Sequence, residues 1–92
     1  MKPYGGGIPA EIAMLQRRAD QLSATNLDTD AVLASLTREA AAARTLADLT
    51  LALRLDRKIR LVQERRTKTT HEIDTLLSLV AARRARYGLP TT

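Results

Sequence analysis

Apolar residues return along most of this 92-residue chain at steps of three and four, the spacing of one face of an α-helix. The first series, Ile12, Leu15, Ala19 and Leu22, is a narrow seam that predicts a helix from Pro9 to about Ala24. Pro9 suits a first turn, where its missing N–H costs nothing, and Glu11 suits the positive end of the helix dipole. Between Ser23 and Thr29 lie Asn26, Asp28 and Thr29, side chains able to end one helix and cap the next.

A second series, Leu33, Leu36, Ala40, Ala43, Ala47, Leu51, Leu55, Ile59 and Val62, runs through a stretch from Asp30 to Arg66 that has neither Gly nor Pro. It predicts a helix of ~55 Å at 1.5 Å per residue. Placed at 100° intervals, Leu46, Leu49 and Leu53 fall roughly opposite Leu51, Leu55 and Ile59. Two apolar faces on one helix call for two partners. Helices of the same chain cover one; a second copy is expected on the other, which assigns Leu46, Leu49 and Leu53 to an oligomer interface. Thr69 followed by Glu72 fits a capping box, and Arg65, Arg66 and Lys68 before it suit a helix C-terminus, so a turn is expected near Thr67. An unbroken helix from Asp30 to Tyr87 is the alternative. The last helix carries Ile73, Leu76, Leu77, Val80 and Tyr87 on one face and ends at Gly88 and Pro90.

The pattern thus predicts an all-α fold, a short N-terminal helix followed by a long helical hairpin, in an oligomeric bundle of coiled-coil type. Residues 1–8 read as a flexible arm, 9–88 as a single helical domain and 89–92 as a tail. The glycines of the arm, Gly5, Gly6 and Gly7, are not a phosphate loop, since no strand precedes them and no Gly-Lys-Ser/Thr follows. Composition points the same way: Leu and Ala number 15 each, with no Phe, Trp or Cys and Tyr only at positions 4 and 87. A monomeric β fold and a disulfide scaffold are excluded. No stretch approaches the ~18 apolar residues of a membrane span, so a cytoplasmic protein is expected, with no membrane partner.

Charge divides the chain. Residues 1–50 carry five basic and six acidic groups, whereas residues 51–92 carry ten basic and four acidic, so the whole excess of +5 is C-terminal. Arg54, Arg57, Lys58, Arg60, Arg65, Arg66 and Lys68, assisted by Arg83, Arg84 and Arg86, are the candidate nucleic-acid-binding residues, because backbone-directed binding needs only cations on rigid helices. Arg54, Arg57, Lys58, Arg60 and Arg65 are expected along the flanks of the apolar stripes rather than on one recognition face. With so few aromatics, base-stacking recognition of single strands is disfavoured. The other partner class is an acidic protein surface, gripped by a helical adaptor or inhibitor.

Catalytic chemistry is poorly supplied. His71 is the only histidine, and His71-Glu72-Ile73-Asp74-Thr75 lacks the second histidine of a zinc-binding His-Glu-x-x-His. No metal, cofactor or catalytic residue is assigned and the chain is read as a non-enzyme, with His71 exposed in the first turn of the last helix. Helical chorismate mutases are similar in size and bind a dianion with arginines, but their helix order does not match a chain whose short helix comes first. A short helix before a long hairpin, with two apolar faces and a basic end, resembles the self-assembly part of phage-type small terminases over residues ~9–87. The likeness is one of architecture, without a motif. It implies ring-forming self-association and a role in initiating DNA packaging; the chain departs from that family in lacking an N-terminal helix-turn-helix.

Overall fold

A computed structural model describes residues 7–88, which form two long antiparallel helices, α1 (Gly7–Thr45) and α2 (Leu49–Arg86), joined at Leu46–Asp48. Among the described residues there is no strand, and the molecule is a rod of 70 × 17 × 17 Å. The all-α class and the hairpin are as expected; the breaks are not.

α1 runs straight through Ser23–Thr29, and α2 through Thr67. The threonines of both stretches, Thr29 and Thr69 among the expected caps, spend their side chains elsewhere. Thr25 and Thr29 donate to the carbonyls of Gln21 and Thr25, at 3.1 and 2.9 Å, and Thr67 and Thr69 donate to those of Gln63 and Arg65, at 3.0 and 3.1 Å. A hydroxyl bonded one turn back is satisfied inside a helix and has no need of a terminus. Glu72, the other half of the expected capping box, instead faces Arg18 across the hairpin at 3.4 Å. His71 is therefore an exposed mid-helix residue, not a first-turn one. At the N-terminus Gly7 and Ile8 belong to α1; the rest of the expected arm, with Lys2 and Tyr4, and the 89–92 tail lie outside the described residues.

The real break is built without Gly or Pro. α1 closes with Asp48 N–H donating to the Ala43 carbonyl (2.8 Å) and Ala47 N–H to that of Arg44 (3.0 Å), the paired bonds of a Schellman motif. The motif places Ala47 in the left-handed region, at φ 59°. Asp48 then caps α2, its carboxylate accepting from the Leu51 N–H at 3.2 Å. At the far end α2 stops at Arg86, and Gly88 follows at φ 71°, in the left-handed region, as expected of a helix end.

The core is a thin seam between the helices. On α1 it follows Ile12, Leu15, Ala19, Leu22, Asn26, Thr29, Leu33, Leu36, Ala40 and Ala43; on α2, Ala52, Leu55, Ile59, Val62, Arg66, Thr69, Ile73, Leu76, Val80 and Arg83, all buried or half-buried at strictly alternating steps of three and four. Leu51, expected on this seam, is 39% exposed, and Ala47 sits in the loop. The reason is rotation: Ala43, Ala47, Leu51, Leu55 and Ile59 are successive steps of four, each turning ~40° past a full turn, so the apparent stripe has travelled ~160° by Ile59. Ala52, one residue on from Leu51, holds the seam at 3% exposure.

Midway the seam turns polar. Asn26, 8% exposed, donates through Nδ2 to Thr70 Oγ1 at 3.0 Å, while its Oδ1 is buried with no partner. Alongside, Arg66 donates Nε and Nη2 to the two Asp30 oxygens at 2.5 and 3.2 Å. Hydrogen bonding to Asp30 and its carboxylate charge raise the Arg66 pKa above its ordinary value.

Candidate nucleic-acid interface

The ion pairs found among the described residues all cross the hairpin: Glu11–Arg83, Arg18–Glu72, Asp30–Arg66 and Arg44–Asp56. They sort the cations of α2. Arg66 and Arg83 lie on the inner seam, half-buried and ion-paired with Asp30 and Glu11 of α1. Arg84, half-buried, is likewise engaged within the fold. Arg54, Arg57, Lys58, Arg60, Arg65, Lys68 and Arg86 are exposed and form no ion pair among the described residues.

With the core fixed on the Ala52, Leu55, Ile59 and Val62 side, the angular positions of the free cations follow. At 100° per residue Arg57, Lys68, Arg54, Arg65 and Lys58 gather in an arc of about 100°, with Arg60 and Arg86 away from that cluster in angle or in distance along the helix. The cations were expected along the flanks of the apolar stripes; five of them lie together, on one flank of α2 and the adjoining solvent face. From Arg54 to Lys68 the arc is ~21 Å long at 1.5 Å per residue. Leu61, 58% exposed, sits within it.

The leucines assigned to an oligomer interface lie at or near the turn of the hairpin. Leu46, Leu49 and Leu53 are 79%, 64% and 66% exposed. Two shallow grooves open on α2, one of about 400 Å³ lined by His71, Asp74, Thr75, Ser78 and Leu79, the other of about 310 Å³ lined by Arg66, Thr67, Thr70, His71 and Asp74. Each is lined from a single helix, so no groups from opposing walls converge on a common point. No cluster of metal-ligating side chains occurs among the described residues, and no helix there is long and apolar enough to cross a membrane.

No protein-family model, curated protein or solved structure matches this chain.

Sequence reasoning named all five cations of the arc, along with others that the fold uses internally. The signal that would have separated them was the seam itself: Arg66 and Arg83 occupy positions at the three-and-four spacing of Ile59, Val62, Ile73, Leu76 and Val80.

Proposed function

We propose that this protein is a non-enzymatic coiled-coil hairpin that binds nucleic acid through its phosphate backbone, with Arg54, Arg57, Lys58, Arg65 and Lys68 as the contacting residues. The observation that carries this reading is the basic arc on α2, five exposed cations that form no ion pair among the described residues, with Glu64 the carboxylate beside them. Arg54 has Arg57 and Lys58 three and four residues on, and Arg65 has Lys68 three on, so the arc stacks like charges at the spacings where helical neighbours interact. That repulsion burdens the isolated helix, and a bound polyanion reverses it. Pairing with α1 occupies Arg66 and Arg83 and leaves these five among the exposed cations.

Titration of a DNA duplex at several salt concentrations tests the reading. Five phosphate contacts give a slope of log affinity against log salt of about −4.5. Replacing Arg65 and Lys68 together by Ala should shallow it by about two units with helicity unchanged. A slope near zero, or no binding at low salt, would falsify it. Leu61 favours a second reading, since an apolar side chain amid cations suits an acidic amphipathic helix of a partner protein better than a phosphate chain. In that case Leu61→Ala weakens capture of the acidic helix, and duplex DNA is not retained.

A further inference from the structure

We propose that two copies of this chain pair through the flank of the hairpin that carries the Arg44–Asp56 and Asp30–Arg66 ion pairs, burying Leu27, Leu49 and Leu53 and leaving both basic arcs in solvent. The inference is independent of what the arcs bind.

The hairpin has two flanks, each marked by its cross-helix contacts. Arg44–Asp56, Asp30–Arg66 and Asn26–Thr70 mark one; Arg18–Glu72 marks the other. Helical spacing assigns the exposed leucines. Leu27 stands three residues before Asp30, Leu53 three before Asp56 and Leu49 seven before it, so these three belong to the first flank, whereas Leu61 and Leu79, four before Arg65 and seven after Glu72, fall on the second. Leu27 is 71% exposed. On the same reckoning Arg65 and Lys68 lie seven and four residues before Glu72, on the second flank with the basic arc.

Charge selects between them. The molecule carries +5, so two copies repel unless they meet where the charge cancels. On the first flank Asp20, Asp30, Asp56 and Asp74 balance Arg44, Arg60, Arg66 and Arg84 one for one. A flank that carries both signs and no net charge can face a second copy of itself across a two-fold axis, which presents the same patch from both sides. The second flank keeps an excess of cations and opposes a like copy.

Area agrees. The tip leucines alone expose roughly 400 Å² per copy, too little for a stable dimer. The flank of a 70 × 17 Å rod offers far more. An overlap of half its length buries roughly 600 Å² per copy, which reaches the lower limit of stable interfaces at about 1,200 Å² in total. Leu49 and Leu53 are thereby placed at one end of a lateral contact that also takes in α1.

Light scattering of the full chain at micromolar concentration tests this, with helicity followed by circular dichroism. The wild type should show twice the 10.1 kDa of one chain. Leu53→Glu and, separately, Leu27→Glu should halve that mass with helicity retained, because both residues are exposed in the hairpin, while Leu61→Glu on the opposite face should leave it unchanged. A monomeric wild type, an assembly of three or more copies, or a dimer that survives both flank changes overturns the proposal. So does a dimer lost to Leu61→Glu and to neither of the others, which places the interface on the basic side.

Discussion

Ala47 is the residue on which the hairpin turns, and replacing it by glycine should make the protein more stable. In the left-handed region an L side chain crowds the following carbonyl, at a cost of about 1–2 kcal/mol. Ala47, at φ 59°, carries that cost, and glycine does not. Against this, glycine loosens the unfolded chain by about 0.4–1 kcal/mol. The balance for Ala47→Gly is a gain of about 0.5–1 kcal/mol, or a rise in Tm of about 2–8 °C for a domain of this size. Thermal and urea denaturation followed by circular dichroism, at one protein concentration, measures it. Ala31→Gly is the control, an exposed site inside α1 where the same exchange should cost about 1 kcal/mol. If Ala47→Gly destabilises as much as Ala31→Gly, the turn does not hold Ala47 in a strained conformation and the account of the break fails.

Leu36→Ala, at a site 6% exposed, should cost about 2–5 kcal/mol, whereas Leu51→Ala, at 39%, should cost clearly less; equal losses in chemical denaturation would contradict the seam. Thr70→Val strands the Asn26 amide and should cost about 1–3 kcal/mol, while adding Asn26→Leu should recover most of the loss, a double-mutant cycle whose additivity would deny the cross-helix bond.

Much of the fold was legible because each seam obeys its spacing. Ile12, Leu15, Ala19 and Leu22 were read where they lie, as were Leu33 to Ala43 and Ile73 to Val80. The turn was misplaced for two physical reasons. Thr and Asn at seam positions look like caps in a list of residues, and only the partner helix shows that Asn26 is bonded to Thr70. At the true turn the glycine that usually marks a Schellman motif is absent, its place taken by Ala47, so no local signal interrupts a run of good helix formers. The exposed basic face was harder still. Which cations remain free depends on which are drawn into the seam, a property of the paired helices that neither segment carries alone.

That dependence also explains why the chain folds back instead of extending. From Ala43 to Ala52 a continuous helix would make about two and a half turns, leaving the α1 seam and the α2 seam on opposite sides. Neither seam could then cover the other, and both would need outside partners. Folding back at Ala47 lets them meet, so the strain at that residue is offset by the burial of two apolar faces along most of the rod. The antiparallel register then does the electrostatic sorting: Glu11 reaches Arg83, Asp30 reaches Arg66, and the Asn26–Thr70 bond fixes the alignment between them. A slip of α2 by one heptad would part Asn26 from Thr70 and Asp30 from Arg66, unpairing a seam arginine. The three-residue loop resists such a slip mechanically and the polar layers resist it chemically, so the basic arc stays on one face because the seam behind it admits a single alignment.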